Sequence, residues 1–252
     1  MNLRFEVDET LWRAFAGSRL LGHAWTLRRP DGKRFVSFGD GAVVALARRI
    51  GVEYGEALRT YADESDTRMQ HLLGSVPFIG DRFEHRWELP TRARSSEAAL
   101  RGFKVYSPEE IGHDRVREFD NRLRQDIPGL WGWQWTAKGW TAEHASAYEP
   151  SLYPVVWDPR TERLAGLARV WMNPAGPRLG LVAVARDFRR RGLGAALLAR
   201  LGSLLAERGF ASMTAECDAA NSAATALLSA AGGRRAGGTV ELVYRPWAVL
   251  ES

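Results

Sequence analysis

Part of this chain is written twice, and that constrains its fold more than any other feature. Residues 19–34, RLLGHAWTLRRPDGKR, lie over residues 163–178, RLAGLARVWMNPAGPR, with identities at Arg19, Leu20, Gly22, Ala24, Pro30, Gly32 and Arg34. Further on, DTRMQHLL (Asp66 to Leu73) repeats the pattern of NSAATALL (Asn221 to Leu228). The first match needs a shift of 144 residues and the second a shift of 155, so 11 residues of the second half have no counterpart in the first. Two matches in the same order argue for a tandem of one supersecondary unit. The expectation is one clean gap, placed where the second half carries RDFRRRGLG. The first half then reads as a trimmed copy that also lacks the first strand and the helices opening the second.

From Phe103 onward the pattern alternates strands and helices. FKVYS, YPVVWD, RLAGLARVWM, LGLVAV, ASMTAECD and TVELVYRP predict strands, and HDRVREFDNRLRQD a charged amphipathic helix. Leucines at 197, 198, 201, 204 and 205 recur at helical spacing after the glycines at 192 and 194. NSAATALLSAAGG predicts a helix capped by Asn221. The order is that of an α/β class, a mixed α+β sheet. TRARSSEAALRG, residues 91–102, is polar and without strand alternation. The expected organisation is a unit at 1–92, a linker at 93–102 and a domain at 103–252.

Composition narrows the chemistry. Arginine makes up most of the basic residues, with lysine only at Lys33, Lys104 and Lys138, and the net charge is +5. That lacks the dense basic stripe of a nucleic-acid binder. Cys217 is the only cysteine, which excludes an intrachain disulfide and a thiolate cluster. The histidines at 23, 71, 85, 113 and 144 lack metal-ligand spacing, so no metal is expected. The opening MNLRFEVDETLW is charged where a secretory leader is apolar, and no run of about 20 apolar residues exists. These features predict a cytoplasmic protein, monomer or homodimer, that engages neither membrane nor nucleic acid.

The stretch VAVARDFRRRGLGAALL (Val182 to Leu198) sets a basic, glycine-bearing loop between an apolar strand and a helix. Free N–H groups at a helix start, the helix dipole and arginine side chains all favour an anion there. Glycine lets the backbone approach it. The nucleotide-triphosphate loop needs a lysine followed by Ser or Thr, whereas Leu193 follows Gly192 here. A diphosphate held by other means is the better match.

Arg189-Arg190-Arg191-Gly192-Leu193-Gly194, preceded by VAV and Phe188, resembles the acetyl-CoA loop of the GNAT acyltransferase superfamily, Arg/Gln-x-x-Gly-x-Gly/Ala. Asn221, Ala224 and Leu227 are similar to its later motif, Asn-x-x-Ala-x-x-Leu-Tyr. The resemblance covers about 103–246 and suggests a tandem GNAT protein with a degenerate N-terminal unit lacking the loop. It implies that Val182, Ala183 and Val184 pair with the pantetheine arm of acetyl-CoA. The pyrophosphate would be cradled at Arg189, Arg190, Arg191, Gly192, Leu193, Gly194 and Ala195, and Asn221 would approach the arm near the thioester. The implied reaction is direct acetyl transfer to an amine, which makes Cys217 a strand residue rather than a nucleophile.

An amine with a pKa of roughly 10 must lose a proton before it attacks. Glu216 stands where some members place the base, sharing a strand face with Thr214; a salt-bridged surface carboxylate is the competing reading, and Asp218 is a weaker candidate. The sequence departs from the family at Leu228, where many members carry a tyrosine that protonates the leaving thiolate. Tyr244 or water would have to serve instead. Between the first two strands, DIPGLWGWQWTAKGW holds Trp131, Trp133, Trp135 and Trp140; these either stack on a ligand or fill the core. Glu118, Asp120 and Asp126 either attract a cationic amine or face water. The function expected is an acetyl-CoA-dependent N-acetyltransferase acting on a small-molecule or peptide amine. The alternative is a catalytically weak acyl-CoA-binding sensor.

Overall fold

Both copies of the repeat fold into the same run of elements. The computed structural model describes residues 3–39, 41–76, 78–92, 96–145 and 148–246. The first half runs β1 (Arg4–Asp8), β2 (Leu11–Ala16), β3 (Arg19–Arg28), β4 (Arg34–Phe38), α1 (Val43–Tyr54), β5 (Leu58–Asp63), α2 (Thr67–Gly74) and β6 (Ile79–Pro90). The second begins with β7 (Lys104–Tyr106), α3 (Pro108–Ile111), α4 (His113–Arg124), α5 (Ala137–His144) and β8 (Val155–Asp158). It continues through β9 (Arg163–Asn173), β10 (Gly176–Val184), α6 (Leu193–Glu207), β11 (Ser212–Asp218), α7 (Ser222–Ala230) and β12 (Arg234–Tyr244). None of the helices among the described residues is long and apolar enough to cross a membrane.

Local chemistry accounts for the correspondence. The turns at Pro30 to Gly32 and Pro174 to Gly176 let β3 and β9 fold back on β4 and β10 in antiparallel register. Asp66 caps α2 by accepting from the Met69 amide at 2.9 Å, and Asn221 caps α7 by accepting from Ala224 at 3.0 Å. The strands flanking each central helix pair in parallel over two residues: Arg34↔Leu58 and Phe35↔Arg59 in the first copy, Arg178↔Thr214 and Leu179↔Ala215 in the second.

The chain divides into two compact units, unit 1 (Met1–Glu84 and Gly237–Ser252) and unit 2 (His85–Ala236). In unit 1 the strand order is β1-β2-β3-β4-β5-β12, with Thr239 to Tyr244 antiparallel to Asp63 to Leu58. Its core joins Leu46, Ile50 and Ala47 of α1 to Trp12, Ala24, Leu58, Leu242 and Tyr244. In unit 2 the order is β7-β8-β9-β10-β11, with the end of β6 bordering β11. Trp87 and Leu89 of β6 pack there with Leu193, Leu197, Leu198, Leu201 and Leu205 of α6. Each fully buried leucine contributes about 2 kcal/mol. A second core on the other sheet face joins α4, α5, β8, β9 and β10. Each copy thus takes its sixth strand from the other half of the chain.

Two expectations about the first half need correction. It does have a first strand: β1 pairs with β2 from Arg4↔Phe15 to Asp8↔Leu11. All but one of its side chains are exposed, so the strand is defined by backbone pairing and carries no apolar alternation. Only the helices between the opening strands are missing. Nor are the eleven absent residues one clean gap. Two are lost at the end of the strand, four in the loop, three in the helix, and one each in the turn and strand that follow. Residues 96–102 are also structured: Glu97–Leu100 is a 3-10 helix capped by Ser96, and Leu100 is buried with α6. Residues 93–95, the start of the expected linker, lie outside the described residues.

Candidate active site

The site begins where β10 departs from regular pairing. Leu179 pairs with Val170 of β9 and Leu181 with Arg169, leaving Gly180 as the extra residue of a bulge. The bulge exchanges the faces: Leu179 packs with α6, whereas Leu181 and Ala183 pack with α4 and α5. The parallel pairing to β11 stops at the same point, at Leu179↔Ala215. Beyond it Val182, Ala183 and Val184 pair with Ala168, Leu167 and Gly166 of β9, and among the described residues their other edge has no strand partner.

After Val184 a 3-10 turn, Arg186–Phe188, buries Phe188 beside the start of α6. Arg190 and Gly192 then take left-handed backbone angles, φ 62° and 79°, and Gly192 caps the helix. Glycine suits that conformation; at Arg190 it costs about 1 kcal/mol. The first backbone bond of the helix is from Ala196 to the Gly192 carbonyl, 3.0 Å. Among the described residues no backbone or side-chain group accepts from the amides of Arg190, Arg191, Gly192, Leu193, Gly194 and Ala195. Leu193 is buried and anchors the turn from beneath.

The loop arginines have different tasks. Arg189 donates from Nε to the Val184 carbonyl at 2.9 Å and from Nη2 to Asp126 at 3.0 Å. Arg191 donates to the Asp187 carbonyl at 2.9 Å and lies over Phe188. Both brace the loop. Asp126 also accepts from Arg186 at 2.7 Å, and hydrogen bonding from Arg186, with the charge of Arg189, holds its carboxyl below the usual range. Asp120 is fully buried against Arg124. Neither aspartate is a free attractor for an amine.

On β11, Met213 and Ala215 face the α6 core, while Thr214 and Glu216 face outward. Arg178 of β10 forms an ion pair with Glu216, so the structure brings the base candidate and a counter-charge together across the strand pair. Asn221 keeps its cap bond, with Oδ1 committed to the Ala224 amide. Leu228 is 2% exposed, within the α6 core. Tyr244 is buried in the core of unit 1.

The tryptophan segment divides. Trp131 is exposed, and Trp135 and Trp140 are buried with Tyr153, Leu167 and Leu181. With them lie groups that sequence reasoning missed. Arg169 is 4% exposed and Arg124 is 2% exposed. Arg169 lies over the rings of Trp171 (4.7 Å), Trp135 (5.8 Å) and Tyr153 (5.9 Å). His144 sits between Trp140 and Tyr153, with Nδ1 2.6 Å from the Trp140 carbonyl. Burial, reinforced by Arg169 and His113, pushes its imidazole below the ordinary value. An arginine within the apolar run RLAGLARVWM was the available sign.

A mixed sheet that parts beside the amide-rich start of a helix is the fold of the GNAT acetyltransferases. Residues 117–232 match the acetyltransferase (GNAT) family, and the chain carries a GNAT domain within unit 2. Among solved structures it is similar to a GCN5-related N-acetyltransferase from Sphaerobacter thermophilus, at 17% identity and TM-score 0.68, over 95% of this chain and 81% of that one. It is also similar to a tandem GNAT protein from the clavulanic acid biosynthesis pathway, at 17% identity and TM-score 0.69, over 94% and 82%. A third is the glucosamine N-acetyltransferase region of a fungal multi-domain β-N-acetylglucosaminidase, at 12% identity and TM-score 0.66, over 92% of this chain and 32% of that one. The fold is therefore two GNAT-like units in tandem, the first truncated. No curated protein matches the sequence.

Proposed function

We propose that the chain is an acetyl-CoA-dependent N-acetyltransferase whose reaction takes place in unit 2, with the amine of a small molecule or peptide as acceptor. The observation that carries this reading is the coincidence of three features at one strand end. The β10–β11 pairing stops at Leu179, the edge of Val182 to Val184 is open, and six amides from Arg190 to Ala195 lack protein acceptors. Six N–H groups and a helix dipole suit a diphosphate. The open edge suits an amide-bearing arm, which Asn221, capping α7 just after β11, would approach near the thioester.

Acetyl-CoA would supply an acetyl group activated as a thioester. The chain's residues would bind and orient it and manage the acceptor's proton. Glu216 takes that proton, directly or through a water, while Arg178 fixes the carboxylate's position. With Leu228 in the core, the departing thiol takes its proton from solvent, a modest penalty for a group with a pKa of about 8.5. The same two observations, Leu228 and the ion-paired Glu216, favour an acyl-CoA-binding sensor as the second reading.

Calorimetry with acetyl-CoA, CoA and duplex DNA tests the first step. Saturable binding of the two CoA species and none of DNA is expected; absence of CoA binding ends both readings. A thiol-release screen over amines and peptides then decides between them. Amine-dependent turnover supports the transferase, and release no faster than hydrolysis with every amine leaves the sensor.

A further inference from the structure

Unit 2 buries two arginines and two aspartates, but Asp158 is committed to its own turn, accepting from the Arg160 amide at 3.0 Å and the Thr161 hydroxyl at 2.8 Å, so charge around the Trp135 ring does not balance. The core formed by α4, α5, β8, β9 and β10 contains two guanidinium groups, Arg124 and Arg169, and one carboxylate, Asp120. Asp120 is committed: it pairs with Arg124 through Nε and accepts from the Tyr153 hydroxyl at 3.4 Å. Burial lowers the pKa of the His144 imidazole, which disfavours a further positive charge there. Among the described residues Nη2 of Arg124, Nε and Nη1 of Arg169, and Nε1 of Trp135 are buried without a hydrogen-bond partner. Aromatic faces ease the burial of a cation, yet they leave these N–H groups without acceptors. Four donors and one surplus positive charge converge around the Trp135 ring, which lies 5.8 Å from each guanidinium.

The place of this cluster gives it meaning. Arg169 pairs across the sheet with Leu181, the first residue to pair with β9 past the point where β10 and β11 part. Gly180 keeps room for it, since a Cβ there would stand 2.5 Å from Trp171 Nε1 and 3.3 Å from Arg169 Nε. Trp171 pairs with Arg178, and Arg178 holds Glu216. Arg169 on β9 and Glu216 on β11 thus lie on the same face of the sheet on either side of β10, joined through Trp171 and Arg178.

We propose that Arg169, with Arg124 and Trp135, is a receptor for a carboxylate on the acceptor, so that the amine acetylated belongs to an amino-acid-like molecule. Planar guanidinium and indole donors among flat rings suit a planar carboxylate. The inference rests on the transferase reading for the identity of the amine, but the carboxylate receptor can be tested without turnover.

The test pairs each amino acid with its decarboxylated amine: tyrosine with tyramine, histidine with histamine, ornithine with putrescine, lysine with cadaverine. Thiol release at saturating acetyl-CoA is expected to give at least one pair whose amino acid has kcat/KM about 10,000-fold higher, a ratio typical of a site built to hydrogen-bond the missing group. Arg169→Met should bring that pair within a few-fold, mainly through KM, and Arg169→Lys should restore part of the gap. Binding of N-acetyl amino acids, followed by tryptophan fluorescence, should be seen with the natural protein and lost with Arg169→Met. That signal without turnover keeps the receptor and rejects the transferase. The proposal fails if decarboxylated amines are turned over as well as the amino acids, if Arg169→Met retains the preference, or if neither turnover nor fluorescence distinguishes carboxylates. The natural protein alone suffices should the variant not fold.

Discussion

Units 1 and 2 share an order of strands and helices and treat buried charge in opposite ways. In unit 1 the fully buried carboxylate is Glu241, held by Arg59 at 2.7 Å and Arg82 at 3.0 Å, with Arg29 3.9 Å away. Here an anion is surrounded by cations, as in a finished structural network. In unit 2 Asp120 pairs with Arg124 alone, and both buried arginines, Arg124 and Arg169, retain unused donors. The connections to the central helix differ in parallel. Residues 39–42 link β4 to α1, whereas residues 185–192 link β10 to α6 and set out a row of amides. One duplicated scaffold has been closed and the other left incomplete, and incompleteness is what a binding site requires.

The largest expected effect separates the two helix starts. Gly194 has room for a Cβ, with Leu227 at 3.4 Å, so Gly194→Glu sets a carboxylate against a bound diphosphate while preserving the fold. CoA affinity measured by calorimetry should fall by about 1,000-fold, since like charges in contact cost several kcal/mol. Ala42→Glu, at the start of α1, should change it less than twofold; an equal loss would break the comparison. Next, Glu216→Gln should lower kcat by about 100-fold and leave the CoA dissociation constant within twofold. Undiminished turnover removes Glu216 as the base.

A third experiment concerns the closed unit. Glu241→Gln strands the charges of Arg59 and Arg82, and should cost about 3 kcal/mol in denaturant unfolding without altering CoA affinity. The smallest effect is pH-dependent. The folded-state pKa of His144 is depressed below 6.5, so its contribution is fully present above pH 6.5 and is lost as pH falls below that value, where the unfolded chain binds the proton first. Stability should decline on acidification, and His144→Gln should flatten that part of the curve; an unchanged slope would place the imidazole in water.

Local signals made much of unit 2 legible. Helical leucine spacing located α6, the asparagine cap located α7, and the Arg-Gly run located the loop between β10 and α6. Contacts distant in sequence were not legible. The hairpin β1–β2 has almost no buried face, and Leu100 is buried only because α6 lies beside it. The bulge at Gly180 reverses which face of β10 is buried, a property no alternating pattern displays. Arg169 is a charge within an apolar strand, a sign passed over in the sequence, and its surroundings are rings from outside that strand, those of Trp135 and Tyr153. The mismatch in charge exists only once those residues have assembled.

The exchange of last strands has a consequence for the order in which the chain can acquire structure. Unit 1 is the earlier part of the polypeptide to leave the ribosome, but its sheet needs Thr239 to Tyr244 beside β5. Until those residues emerge, β5 has an unpaired edge, and the apolar side chains that meet Leu242 and Tyr244 lack their cover. During synthesis, then, the N-terminal half waits for the C-terminal half, and Thr239 to Tyr244 complete the sheet of the unit that was begun first. A chain stopped before residue 237 would lose the integrity of the half that was made first.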